Sequence, residues 1–300
     1  MHIPNGMLNG HICPVTAVVS TVGIISAAIM ASKAKNKPSA ARFGAITALI
    51  FAGQMMNFTI QNGTSGHFLG AVLAVSLLGL PFGVLAMALV VAIQCLMFSD
   101  GGLFVLGANI MNMSIIGAGL GGLIYHYLSR GVETKSAKHA AVLGVSAWIS
   151  LMCAVFACCL ELAISGTTPF AKVVGAMFGV HAMIGVGEAL ITVGLFYAFG
   201  TSFAVKTERT SAAVPLLAAG MIAAVLSPFA SGFPDGLEWV AAKYQFLHES
   251  APAFASPLAD YAFSPAGDAL ATPVAGLVGV IVTFVVACAV IKMMSVKRSA

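Results

Sequence analysis

The sequence predicts an all-α fold: a polytopic membrane helix bundle of about nine transmembrane helices, N-terminus outside and C-terminus inside. Three observations predict it: scarce charge, a succession of long apolar runs, and cations gathered on one side. Hydrophobic residues make up 59% of the 300 and charged residues only 8%. The mean hydropathy is +0.99. Soluble domains carry about 25% charged residues, so this chain cannot coat a core with a water-facing surface. Its solvent over most of its length is membrane lipid. The formal charge of +4 is therefore no sign of a nucleic-acid partner, and none is predicted.

The apolar runs fall at roughly 14–32, 43–60, 67–81, 83–98, 103–128, 139–164, 173–200, 212–230 and 272–291. About 20 apolar residues are needed to cross a bilayer core as helix. The third and fourth runs are short, and Gly79-Leu80-Pro81-Phe82-Gly83 divides them. Charge decides whether 67–98 is one span or two, because Lys and Arg concentrate in cytoplasmic loops. Lys33, Lys35, Lys37 and Arg42 follow the first run, and Arg130, Lys135 and Lys138 precede the sixth. Lys206 and Arg209 follow the seventh, and Lys292, Lys297 and Arg298 close the chain. Only Lys172 and Lys243 lie elsewhere. All four clusters share one side only if 67–98 turns back at the Pro81 break.

Two domains follow, residues 1–200 with short loops and residues 212–300 as two spans. A cytoplasmic linker, 201–211, joins them. The outside segment of the second domain, about 231–271, holds Pro234, Pro252, Pro257 and Pro265, which oppose a continuous helix. The first cation is Lys33, after the first apolar run. A secretory signal opens with positive residues, so Met1-His2-Ile3-Pro4 is expected to be retained. No GxxxxGK[ST] sequence occurs, so any ATP would be bound by another subunit. Cys13, Cys95, Cys153, Cys158, Cys159 and Cys288 have no CxxC spacing and read as packing residues.

Among seven histidines, His2, His11 and His67 fall at the outer face, and His126 and His139 near the inner face. His248 sits in the outside segment and reads as solvated surface. His2 is the most informative. An amine on Met1, the amide nitrogen of His2 and the His2 ring close two fused chelate rings. That places three nitrogens in one plane, the geometry suited to Ni(II) or Cu(II). Gly63-Thr64-Ser65-Gly66-His67 forms a turn at the same face, where His67 could supply the fourth nitrogen or simply cap the following helix. Polar residues inside apolar runs are costly and therefore functional candidates. Gln54, Asn57, Asn109 and Asn112 could line a polar chamber near that face, or bond helix to helix. His181 and Glu188 lie two turns apart on one helix face and are expected to share a structural hydrogen bond. Asp100-Gly101-Gly102 reads as a turn whose carboxylate could anchor the N-terminal segment. Gly23, Ala27 and Ala31, and Gly117 and Gly121, form small faces for close helix approach. Met55, Met56, Met111 and Met113 bracket the chamber and read as packing.

These residues resemble the substrate-capture subunits of nickel and cobalt energy-coupling-factor transporters, the NikM/CbiM family. The likeness rests on Met1-His2-Ile3-Pro4 with Gly6, Gln54-Met55-Met56-Asn57-Phe58, and Gly63-Thr64-Ser65-Gly66-His67. It extends to Asp100-Gly101-Gly102, Gly107-Ala108-Asn109 and the run from His181 to Leu190. Pro234-Asp235-Gly236-Leu237-Glu238 resembles the PDGLE motif of the small accessory subunit, so the chain looks like a fusion of the two. The resemblance implies metal held by the Met1 amine, the backbone nitrogen and ring of His2, and the ring of His67. Gln54, Asn57, Thr64, Ser65, Asp100 and Asn109 are the candidates to hold those ligands in place. It implies a transmembrane coupling subunit and two ATP-binding subunits as partners, in the cytoplasmic membrane. Asn5 departs from an aspartate usual in the family and Met7 from a common aromatic, which leaves open how the N-terminal segment is held.

The function expected is high-affinity capture and uptake of Ni(II) or Co(II), with no enzymatic activity in this chain and no cofactor beyond the transported ion. The PDGLE-like tail tips the choice towards nickel, and that tail is expected to assist without supplying ligands. An autonomous secondary transporter or channel is the alternative; it would need charged relays, for which only Glu161 and Glu188 are available. A membrane metalloprotease would need HExxH, which is absent.

Overall fold

The computed structural model describes residues 2–60, 63–134, 136–199, 208–248, 250 and 252–296. Met1, Lys135, Lys206, Lys297 and Arg298, and most of the expected linker, lie outside the described residues. The order is α1 Ile12–Lys33, α2 Ala40–Gln54, β1 Asn57–Thr59, β2 Ser65–His67, α3 Ala71–Leu78 and α4 Leu80–Phe98. There follow α5 Leu106–Leu128, α6 Ala137–Ile164 and α7 Phe170–Phe199. The tail holds α8 Glu208–Met221, α9 Gly236–Lys243 and α10 Asp268–Val296.

Seven helices among the described residues are long and apolar enough to cross a membrane. The chain is a polytopic helical membrane protein. The other two expected runs correspond to α2, 15 residues, and α3, 8 residues, both shorter than a bilayer-crossing helix. The expected helix over 43–60 ends at Gln54, because residues 57–59 leave it to pair with 65–67. Irregular backbone survives at membrane depth only where protein buries it. Here the hairpin is enclosed by α7 and by the tail. His67 accordingly lies on a strand rather than at a helix N-terminus.

Residues 67–98 divide into two helices, α3 and α4, of which α4 alone is long and apolar enough to cross a membrane. Gly79, with φ 88, separates α3 from α4, and Pro81 enters α4 in its first turn, where a missing N–H costs nothing. Gly83 lets α4 lie against α3, since a Cβ there would sit 2.6 Å from Val75. Arg42 at the start of α2 donates to the Leu77 carbonyl at 2.7 Å, so the α3 end lies level with the first cation cluster. His67 and Asp100 then face the same space at the opposite end.

The small face of α1 is used inside the chain. Ala27 and Ala31 are buried, and a Cβ on Gly23 would lie 2.5 Å from Ile115 of α5. Nor is the tail a peripheral appendage. A Cβ on Gly44 of α2 would sit 2.7 Å from Cys288 of α10. Gly276 and Gly279 of α10 leave the same kind of room for Met55 and Phe51. Close approach at small residues is how helices gain packing energy in lipid.

Candidate metal site

A polar chamber of about 490 Å³ opens at the end of the bundle that carries the hairpin. Its walls include His2, Gln54, Asn57, His67 and Asp100, together with Asp235, Glu238 and Tyr261 of the tail. The His2 and His67 rings stack, with centroids 5.2 Å apart and planes 16° from parallel. Residues 65 positions apart in sequence thus meet because two separate local structures deliver them.

The first is the N-terminal segment, held by backbone hydrogen bonds. Asn109 of α5 accepts from the Ile3 N–H at 2.8 Å and donates to the Ile3 carbonyl at 3.1 Å. Gly102 N–H donates to the same carbonyl at 2.9 Å. Asn5 accepts from Phe104 N–H at 3.1 Å, and its own carbonyl accepts from Ser250 N–H at 2.9 Å. The neutral amide at position 5 thus joins the N-terminal segment to the start of α5. Ile3 and Met7 are fully buried. Both glycines of Asp100-Gly101-Gly102 are needed for this approach. Gly101 has φ +88, and a Cβ on it would lie 2.7 Å from Asn109; one on Gly102 would collide with Asn5.

The second is the hairpin, with Asn57 opposite His67 and Thr59 opposite Ser65. Gly66 faces Ile184 of α7 so closely that a Cβ would lie 2.6 Å from it. Directly after His67, the N–H groups of Leu69 and Gly70 donate to the Glu188 carboxyl at 2.6 and 2.9 Å. Gln54 donates to the Leu69 carbonyl at 2.6 Å. Glu188 is thus bonded to this backbone, while His181 Nδ1 donates to the Met177 carbonyl at 2.8 Å. The expected hydrogen bond between them is replaced by these two, because the chain after the hairpin offers bare N–H groups to the carboxyl.

His2 itself is buried and bonded through both ring nitrogens. Nδ1 lies 2.9 Å from Asp100 Oδ1, and Nε2 lies 3.1 Å from Gln94 Oε1. Desolvation pushes the Asp100 carboxyl up, but the His2 ring and the Tyr261 hydroxyl outweigh it and leave it well below the usual range. Loss of hydration lowers the His67 imidazole to about 3. At neutral pH that ring is neutral and keeps a lone pair for a metal, as coordination requires. Its Nδ1 faces the Phe68 carbonyl at 3.2 Å, which fixes the ring's orientation.

The remaining expected site residues are placed differently. Thr64 and Ser65 turn to the tail: Ser65 donates to the Phe233 carbonyl at 2.8 Å, and its N–H to Pro234 at 2.9 Å. Asn112 lies away from the chamber and donates to Glu161 at 2.6 Å. Among the described residues, no group of three or more His, Cys, Asp and Glu is arranged to hold a metal ion. Of the implied ligands, Met1 lies outside the described residues. His126 and His248 are exposed, and His139 bonds Tyr125 at 3.0 Å.

The PDGLE segment has a local explanation. Asp235 is the N-cap of α9 and accepts from Leu237 and Glu238 N–H, while Glu238 accepts from Asp235 N–H at 3.0 Å. This is a capping box, which satisfies bare N–H groups at a helix start. Gly236 sits against His181, where a Cβ would lie 2.8 Å from the ring. The motif thus starts a helix directly over the chamber.

Residues 2–202 match the family described as cobalt uptake substrate-specific transmembrane region, and residues 209–296 match the PDGLE domain. The chain belongs to the cobalt uptake substrate-specific transmembrane family. A relative from Archaeoglobus fulgidus named "Putative fused nickel transport protein NikMN" is 33% identical over 291 residues, covering 94% of this chain and 95% of its own. The fused nickel transport protein NikMN of Rhodobacter capsulatus is 27% identical, covering 65% of this chain and 60% of its own. A crystal structure of a transition metal transporter superposes with TM-score 0.59 at 27% identity, covering 69% of this chain and 95% of that one. The chain is therefore a multi-pass cell-membrane protein of a nickel and cobalt transport family. Both matched regions contribute to the chamber: His2, His67 and Asp100 from the first, Asp235 and Tyr261 from the second.

Gln94, Glu188, Asp235 and Tyr261 were not among the residues the sequence singled out for the site. Asp235 had a readable signal, the D-x-x-E spacing of a capping box. Glu188 and Gln94 had the signal of polar residues inside apolar runs, and Tyr261 had none.

Proposed function

We propose that this chain is the substrate-capture subunit of an ATP-driven energy-coupling-factor importer for Ni(II) or Co(II). In this reading residues 1–200 are the capturing core, 201–211 a cytoplasmic linker and 212–300 the accessory domain. The metal is held by four nitrogens: the Met1 amine, the His2 amide nitrogen and ring, and the His67 ring. The observation that carries it is the stacking of His2 on His67 at 5.2 Å in a polar chamber. Square-planar nitrogen donors favour nickel, and Co(II) is compatible. The names of the fused relatives support nickel.

The alternative of an autonomous secondary transporter fares worse. The two buried acids it would use are tied to fixed partners, Glu188 to backbone N–H groups and Glu161 to Asn112. ATP binding and hydrolysis are assigned to two partner subunits, and force transmission to a transmembrane coupling subunit. Cells making this chain alone are expected to accumulate radioactive nickel far more slowly than cells making the full set. Equal rates would end this reading.

The chamber end is assigned to the outside, on the cation distribution. Reporter fusions after residue 135 and after residue 300 are both expected to read cytoplasmic. An outside signal at 135 would reverse the assignment.

A further inference from the structure

The accessory segment reaches the histidine that the proposed site needs. Tyr261 donates its hydroxyl to Asp100 Oδ2 at 2.6 Å. The other oxygen of that carboxylate lies 2.9 Å from His2 Nδ1. A chain of three side chains thus runs from the tail through the α4–α5 turn to the N-terminal segment. Tyr261 is built into place. Its ring stacks on Phe98, with centroids 4.5 Å apart and planes 20° from parallel. Leu258 N–H donates to the Met97 carbonyl at 2.9 Å, and Ser99 to Ser256 at 2.8 Å. Asp260 and Tyr261 both have left-handed backbone, φ 54 and 56, a conformation unfavourable for these residues and kept only where the surroundings impose it.

The ring nitrogen matters. A chelate through the backbone nitrogen of a histidine closes a six-membered ring only through Nδ1; Nε2 points too far away. In the structure Nδ1 is the nitrogen that faces Asp100. The hydrogen bond and the metal bond compete for the same atom.

We propose that Tyr261, acting through Asp100, is a positioning residue with which the accessory domain holds His2 Nδ1 away from the metal, so that seating the segment favours release and lifting it favours capture. The proposal rests on the four-nitrogen site proposed above. An interaction made in only one of two states shifts the balance towards that state. If the Asp100 contact exists only without metal, it lowers apparent affinity by reducing the fraction of chain ready to chelate. Weakening it must then tighten binding, the reverse of what loss of a supporting contact would do.

The test uses the purified full-length chain, Ni(II) titrated against a competing chelator, and stopped-flow release. Tyr261→Phe keeps the ring on Phe98 and removes only the hydroxyl. It is expected to bind Ni(II) about fivefold to tenfold more tightly, the scale of one ordinary net hydrogen bond, and to release it correspondingly more slowly. The visible absorption band of the bound ion should keep its shape, since Tyr261 is no ligand. Asp100→Asn should move affinity the same way. The double variant should bind no more tightly than Asp100→Asn, because the two act in series. Unchanged or weaker binding by Tyr261→Phe, or additive effects of the two substitutions, would overturn the proposal. His67→Ala separates the levels. If it binds Ni(II) like the parent, the four-nitrogen site is wrong and the proposal falls with it. If it loses the metal while Tyr261→Phe behaves as the parent, the relay alone is wrong.

Discussion

One residue added before Met1 is expected to abolish tight nickel binding as completely as His2→Ala. The extension leaves every side chain in place and moves only the amine. In the proposed site the amine, the His2 amide nitrogen and the His2 ring close two fused rings, so displacing one donor opens the chelate. A site built of side chains would not feel the change. The N-terminal segment has little room to adapt: Ile3 is clamped on both backbone groups by Asn109 and is fully buried. His67→Ala is expected to lose tight binding too, whereas His126→Ala and His248→Ala, on exposed residues, are not. Isothermal titration with nickel and cobalt checks all five proteins. Binding also has a predictable acid dependence. His67 is already neutral above about pH 3, so it releases no proton on binding near neutrality. The Met1 amine and the His2 backbone amide must give up protons to coordinate in the proposed chelate, so binding weakens as pH falls. Undiminished affinity in the extended protein would sink the chelate.

How much of this was readable follows from the kind of force involved. The α1, α4–α7 and α10 spans follow from hydropathy alone, because lipid demands long apolar stretches. The division of 67–98 into two helices was expected from the Pro81 break and from cation placement, a rule about loops rather than helices. What hydropathy cannot see is the hairpin end of α2. Residues 55–60 are apolar enough to continue a helix, yet their backbone pairs with 65–67. That pairing depends on tertiary cover from α7 and the tail.

The site divides in the same way. His2 and His67, which the structure stacks in one chamber, were legible as candidates because position 2 and the compact Gly63–His67 turn are local features. Asp100 and Asn109 were legible as polar residues at span ends. Asn112 takes the second of its two expected roles, bonding helix to helix through Glu161; which role it takes depends on the rotation of α5, which contains wide π-helical turns over Met111–Leu120. Tyr261 carries no local signature, and Gln94 only that of a polar residue inside an apolar run. Their roles exist only once α4 and the tail converge on His2. The glycines of Asp100-Gly101-Gly102 are a milder case: a turn explains them locally, but the approach of the Ile3–Asn5 backbone is what makes both necessary.

Glu188→Ala is expected to produce the largest loss of stability outside the ligands, together with loss of metal binding. Glu188 is buried and receives the N–H groups of Leu69 and Gly70, which follow His67 where the chain turns into α3. Gly70 is left-handed, with φ 75, so this backbone cannot relax into an ordinary helical turn to find other acceptors. Removing the carboxyl leaves two buried donors without it. Each unsatisfied group costs about 1–3 kcal/mol. Removing the acid also relieves the cost of burying a carboxyl. The net expected loss is therefore about 2–4 kcal/mol, read as a lower Tm in detergent. Because the segment carries His67, nickel affinity should fall further than in a variant of equal Tm made elsewhere. Glu188→Gln keeps one acceptor oxygen and should fall between the two on both measures. A Tm within experimental error of the parent, or a lower Tm with undiminished nickel affinity, would show that the hairpin is held by its pairing and the tail alone. Glu188 would then have no part in presenting His67.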